Sequence, residues 1–183
     1  MTANAPAPAP APRATARPPS LPAPLARLTG DAHRAGLTVG FIPSGWTPPA
    51  AIRPEDAAAL PGLIAALERA LAPAEPAAIR LHLSRLAMNC RIEDLPERAW
   101  EMHLTDFMAD LAEVPEDIVA HACAVWRRTQ KFWPTIAEFL ELTGWRLRQR
   151  RTELARLRVL AQVAANPAPD GRVTREWLGR VGA

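Results

Sequence analysis

The sequence predicts an all-α fold: a small helical bundle with a long C-terminal helix, a Pro/Ala-rich N-terminal arm and a short mobile C-terminal tail. Three observations predict it. From Pro54 onward, apolar residues recur at spacings of three and four, the period of one helix face. Prolines beside acids recur at intervals, as they do where helices start. Strand composition is confined to one patch, Leu37-Thr38-Val39-Gly40-Phe41-Ile42, closed by Pro43-Ser44-Gly45 and lacking a second strand to pair with. The boundaries read as an arm over 1–53, a helical domain over 54–164 and a tail over 165–183.

The arm comes first. Eight of the twenty prolines fall between Pro6 and Pro24, and Ala5-Pro6-Ala7-Pro8-Ala9-Pro10-Ala11-Pro12 alternates strictly. Alternating proline forbids a helix and offers no side chains for a core, so a polyproline-like tether is expected. Pro54-Glu55-Asp56 then places proline in a first turn and acids at the positive helix end. Leu63, Ile64, Leu67 and Leu71 continue it, with Pro61 as a break or a fresh start. Glu75-Pro76 opens a second helix carrying Ile79, Leu83 and Leu86 on one face. Asp94, Leu95 and Pro96 start a third, with Trp100, Leu104, Phe107 and Leu111 on its face. Val114-Pro115-Glu116-Asp117 begins a fourth, whose buried side is Ile118, Ala122, Val125 and Trp126.

Thr135 and Glu138 have the spacing of a capping box directly after Pro134. From there Ile136, Leu140, Leu147, Leu154, Leu157 and Ala161 form a seam of about seven turns, interrupted at Gly144 by a bend or a turn between two helices. Asn166-Pro167-Ala168-Pro169-Asp170-Gly171 ends the domain. Residues 173–181 are expected to add one short amphipathic turn around Trp177 and Leu178, outside the core. The predicted core is Leu83, Leu86, Trp100, Leu104, Phe107, Leu111, Ile118, Val125, Ile136 and Leu140.

Charge divides the chain unevenly. Residues 1–75 carry six basic and five acidic groups, net +1. Residues 76–141 carry seven and eleven, net −4, and residues 142–183 carry nine and three, net +6. An acidic middle before a basic end implies two different surfaces, the second suited to phosphate or an acidic partner.

Several chemistries lack their residues. Lys131, the single lysine, has no glycine-rich loop beside it, which excludes a P-loop ATPase. Ser44 has Ile42 two positions before it, so the hydrolase elbow fails. His121 and Cys123 have no second ligand pair at zinc spacing, and Cys123 falls on an apolar helix face, so core packing explains it. His82 and His103 are lone helical histidines. Two cysteines make no disulfide framework, and no signal peptide or span of roughly 20 apolar residues is present. A cytoplasmic protein with no enzymatic activity, cofactor, metal or membrane contact is expected.

Two features suit macromolecular binding. Trp126-Arg127-Arg128-Thr129-Gln130-Lys131-Phe132-Trp133-Pro134 mixes three rings with basic and amide donors, as stacking and charge at a nucleic-acid or protein surface require. The bland explanation is that Trp126, Phe132 and Trp133 fill the corner between two helices. The second feature is the set Arg146, Arg148, Arg150, Arg151, Arg156 and Arg158 around the seam, an ordinary solvated face or a phosphate-contacting helix.

One resemblance follows from these residues. The run Trp100…Phe107-Met108-Ala109-Asp110-Leu111…Val114-Pro115-Glu116-Asp117-Ile118-Val119…Ala122, then Arg127-Arg128…Lys131-Phe132-Trp133-Pro134-Thr135-Ile136-Ala137-Glu138, resembles the phage and prophage replicative-helicase loader/inhibitor proteins. The resemblance covers roughly residues 76–160 and leaves out the proline-rich extension. It implies a small helical adaptor without ATPase activity that binds a hexameric replicative helicase and influences its delivery to DNA or to an initiator protein. It further implies a mobile tail that makes partner contact, here carrying Trp177 and Leu178. Arg127, Arg128, Lys131, Trp133, Trp177 and Leu178 are the partner-binding candidates.

The competing expectation is a DNA-binding regulator. Residues 134–144 would be the first helix and turn of a helix-turn-helix, and Arg146, Arg148, Arg150, Arg151 and Arg158 would belong to its recognition helix. Glu138 and Glu141 place negative charge near that face. The Leu- and Ala-rich helices are also compatible with self-association.

Overall fold

The computed structural model describes residues 46–92 and 96–181; the proline-rich repeat and the 37–42 patch lie outside the described residues. Among them are six α-helices: α1 (Pro54–Ala70), α2 (Pro76–Ala87), α3 (Glu97–Asp110), α4 (Glu116–Thr129), α5 (Ile136–Ala165) and α6 (Arg175–Val181). A 3-10 turn, Pro169–Gly171, links the last two. The expected all-α bundle with a long C-terminal helix is what forms. No described helix is long and apolar enough to cross a membrane.

Proline and acid mark the starts as their chemistry dictates. Pro54 and Pro76 occupy the first turns of α1 and α2, where the missing N–H has no partner to lose. Pro96 and Pro115 sit one residue ahead of α3 and α4. Pro61 neither breaks nor restarts α1, which runs through it with the ring exposed to solvent. Thr135 and Glu138 form the full reciprocal capping box at the start of α5.

Helix α5 is the spine. Its 30 residues, roughly 45 Å of helix, touch three apolar clusters in succession. The first joins α2, α3 and α4 to Phe139 through Ile79, Leu83, Leu86, Leu104, Phe107, Leu111, Ile118, Val119, Ala122 and Trp126. The second packs Leu60 and Leu67 of α1 against Leu154, Leu157 and Leu160. The third places Val163 with Ala168 and Trp177.

Four differences from the expected packing have physical causes. Gly144 lies inside one continuous helix, so no turn between two helices forms there. Phe139 is buried in place of Leu140, which is 37% exposed, because the Phe107 ring meets Phe139 edge-on at 5.5 Å and captures the larger side chain. Trp100, Val125 and Ile136, expected in the core, are only half-buried: Ile136 packs on the border of the first cluster, and Trp100 lies edge-on against Trp133, itself at that border. Trp177 is 2% exposed rather than free: its ring packs on Val163, and its Nε1–H donates to the Asn166 carbonyl at 3.0 Å.

Order also begins before Pro54. Pro48 is buried, Ile52 packs against the second and third clusters, and the Ala168 N–H donates to the Ala50 carbonyl at 2.7 Å. Residues 46–53 and the 166–181 segment therefore hold each other against the far end of α5.

Candidate functional site

The aromatic stretch folds into one wall of a cleft. Its start is set by α4, whose Trp126 is buried and donates its indole N–H to the Phe132 carbonyl at 2.7 Å. That bond holds the backbone of Phe132 inward. A single parallel bridge holds it from the other side: the Arg91 N–H donates to the Lys131 carbonyl at 2.7 Å, and the Trp133 N–H donates to the Arg91 carbonyl at 2.9 Å. With its backbone fixed at both flanks, Phe132 is still 64% exposed.

Trp133 turns the other way, onto α3. Its indole N–H donates to His103 Nε2 at 3.0 Å. Because an indole nitrogen only donates, His103 Nε2 is the acceptor of this bond. Trp100 meets Trp133 edge-on at 5.1 Å, and Phe107 lies 5.4 Å from Trp133, so the rings form a continuous chain from Phe139 in the core to the surface.

These side chains line a cleft of about 390 Å³ formed by Arg91, Ile92, Trp100, His103, Phe132, Trp133, Pro134 and Thr135. The volume is near the low end for small-ligand clefts, which run from roughly 300 to 1,000 Å³. Lys131, next to the lining residue Phe132, is exposed. Thr135, which lines the cleft, donates its N–H and hydroxyl to the Glu138 carboxylate, which holds the Glu138 pKa below the ordinary range.

The predicted binding residues divide sharply. Trp133 lines the cleft, Lys131 directly precedes its lining residue Phe132, and Arg127 is exposed near the end of α4. Arg128 is exposed but joins Arg146 beside His121, whose pKa is lowered by partial burial first and by those two guanidinium charges second. Trp177 is buried and Leu178 packs beside it, so neither is presented by a free tail.

The arginine set does not act as one surface. Arg150 is 5% exposed and pairs with Asp117. Arg158 pairs with Glu68 at 2.8 Å, and Arg156 lies over the Trp46 ring at 5.2 Å. Arg148 and Arg151 are exposed and Arg146 is half-buried. With one helix through Gly144 and Arg150 in the interior, residues 134–158 do not make a helix-turn-helix.

Sequence reasoning missed Arg91, Ile92 and His103 as parts of one site. His103 was accessible, since it stands three residues after Trp100 and four before Phe107, on the same helix face. Arg91 was not, because only the bridge to the 131–133 turn brings it there. Among the described residues no cluster of three His, Cys, Asp or Glu side chains could hold a metal ion. Cys123 is buried in α4, and burial pushes its thiol up to about 12; burial also raises Cys90.

The fold and site define an all-α protein with a locked, exposed aromatic beside a ring-lined cleft. No family model, curated protein or solved structure matches the chain.

Proposed function

We propose that this protein is a non-enzymatic adaptor of phage or prophage DNA replication that docks on a hexameric replicative helicase through the Phe132 cleft and alters its loading. One observation carries the reading. Phe132 is 64% exposed although Trp126 and Arg91 pin the backbone on either side of it. A large apolar side chain presented to water on a fixed backbone gains hydrophobic free energy when a partner covers it, and little backbone ordering is needed on binding. The sequence resemblance over residues 76–160 supplies the helicase as the partner class. The contact moves from the tail, where Trp177 has an internal packing role, to the turn between α4 and α5.

The test is direct binding of the full chain to purified host replicative helicase, measured by surface plasmon resonance with Phe132→Ser as the comparison. The reading expects a complex that Phe132→Ser weakens by about tenfold or more, the scale of an interface hot spot. No complex at micromolar concentrations, or equal binding by both chains, sinks it. A duplex DNA arm tests the competing regulator: steeply salt-dependent binding lost on Arg148→Ala and Arg151→Ala would favour DNA instead.

A further inference from the structure

We propose that the cleft is a receptor for a neutral proline-rich strand, and that in the isolated protein this chain's own Ala5–Pro12 repeat fills it. Any partner of the cleft then competes with the repeat. The inference goes beyond the adaptor reading, because it rests on the cleft and the repeat and needs no helicase.

Three observations select this occupant. The first is the character of the lining. Ile92, Trp100, Phe132, Trp133 and Pro134 make it largely apolar, and Arg91 is the one formally charged residue among the described lining residues. Around it the signs are mixed: Lys131 is exposed, the Glu138 carboxylate is held ionised by Thr135, and Glu93 and Asp94 follow Ile92 in sequence. Such a rim selects neither a polyanion nor a polycation. The repeat Ala5-Pro6-Ala7-Pro8-Ala9-Pro10-Ala11-Pro12 has no charged or polar side chain, so it enters without stranding one.

The second is the sense of the hydrogen bonding. Four of the eight residues in the repeat are prolines, which lack an N–H, while all eight keep a carbonyl. As a polyproline II strand, without internal hydrogen bonds, the repeat is a row of acceptors. The cleft offers donors to match: the Arg91 guanidinium and the Trp100 indole N–H have no acceptor among the described residues. Aromatic-lined grooves bind such strands because the backbone is already extended and loses little freedom on docking. Trp100 and Trp133, edge-on at 5.1 Å, and the exposed Phe132 supply the rings.

The third is reach. The described chain begins at Trp46, whose ring lies 5.2 Å from the Arg156 guanidinium. Thr135, which lines the cleft, stands 21 positions before Arg156, about 32 Å along α5. The 33 residues from 13 to 45 join the repeat to Trp46, and they span about 50 Å if helical and about 110 Å if extended. Either length covers the gap. A tether of this size gives the repeat an effective concentration on the order of 1 mM, enough to fill a site of weak intrinsic affinity.

The experiment follows the tryptophan indole signals of the nitrogen-15-labelled full chain by two-dimensional NMR, assigned with single Trp→Phe variants. The native chain is compared with P6S/P8S/P10S/P12S, which keeps the length and removes the prolines of the repeat. The Trp100 and Trp133 signals are expected to differ between the two chains, while those of Trp145 and Trp177 coincide. A free, end-capped peptide of the Ala5–Pro12 sequence should move the variant's Trp100 and Trp133 signals toward their native positions. It should bind the native chain several-fold more weakly, because the tethered copy competes, and should lose its binding when F132S is added to the variant. Phe132 is exposed, and unchanged melting verifies the fold of each chain. Coincident indole signals in the native and repeat-variant chains overturn the inference. So does peptide binding that is equal in both, or indifferent to F132S. Signal differences that disappear on dilution place the repeat in a second copy's cleft and overturn the intramolecular assignment. Helicase binding that needs Phe132, in a chain whose repeat leaves the cleft untouched, removes this inference alone. A repeat that fills the cleft while helicase fails to bind removes the adaptor reading alone.

Discussion

The guanidinium of Arg150 in the middle of α5 forms a two-pronged pair with the carboxylate of Asp117 in the first turn of α4, one prong at 2.9 Å. The same guanidinium donates to the Ala70 carbonyl at 3.1 Å, at the C-terminal end of α1. Both ends of the pair complement a helix terminus: a carboxylate at the positive end of α4, a cation at the negative end of α1. One side chain thus ties together the three helices that meet at the centre of the spine.

Breaking this clamp should be costly because it strands a charge. Arg150→Met is expected to lower unfolding free energy by on the order of 3 kcal/mol, the scale for removing one partner of a buried pair. The double variant Arg150→Met with Asp117→Leu should recover much of the loss. Urea unfolding of the four chains gives the coupling; additive losses would mean that the pair is not a unit.

The end of the chain is a packed element. Trp177→Ala should release α6 from Val163 and Ala168, and cleavage by trypsin at Arg172, Arg175 and Arg180 should accelerate several-fold. Limited proteolysis followed by mass spectrometry reads this directly. Equal cleavage rates in both chains would contradict the docking of α6.

Thr135 starts the spine, and its loss should shorten it. Thr135→Ala is expected to cost about 1 kcal/mol, the usual penalty for an N-cap. The Glu138 carboxyl, held down by the Thr135 N–H and hydroxyl, has a folded pKa below its unfolded one. Its contribution is therefore present above the ordinary Glu pKa and fades as pH falls toward the lowered value. The gap between native and Thr135→Ala melts should narrow across that range but not close, because the Thr135 hydroxyl also accepts from the Glu138 N–H, a bond that does not titrate.

The two thiols should differ in reactivity. Cys90 is half-buried and Cys123 is buried, with its thiol pushed up to about 12. Ellman's reagent at about pH 8 should modify Cys90 first and Cys123 only on unfolding. The native chain also keeps a proton that the unfolded chain loses above about pH 8.5, so stability should fall as pH rises from there toward about 12. Cys123→Ala should flatten that alkaline slope; an unchanged slope would assign it to other groups.

His103 tests the ring chain. His103→Ala removes the acceptor for the Trp133 indole N–H, whereas His103→Gln can keep one. Tryptophan emission should shift to longer wavelength for the alanine variant and less for the glutamine one. Identical shifts would mean that the hydrogen bond does not hold the Trp133 ring.

Helix existence and helix starts were legible because they depend on neighbours. Proline at Pro54 and Pro76, acids in first turns, and the Thr135–Glu138 box all act within a few residues, and each appears where local rules put it. Six of the ten predicted core residues, from Leu83 to Ile118, are buried for the same reason: a sustained period of 3.6 has one possible inner face. Which residue wins a contested position depends on what lies opposite, and sequence spacing does not carry that. Phe139 displaces Leu140 because Phe107 faces it, and Gly144 stays helical because the helix packs on neighbours on both sides of it. Arg150 leaves the solvent because Asp117 and the Ala70 carbonyl, 33 and 80 residues away, satisfy it. The cleft follows the same logic. Phe132 and Trp133 come from one continuous stretch, while Arg91, Trp100 and His103 join them only through a backbone bridge, an edge-on ring contact and an indole hydrogen bond formed between distant segments.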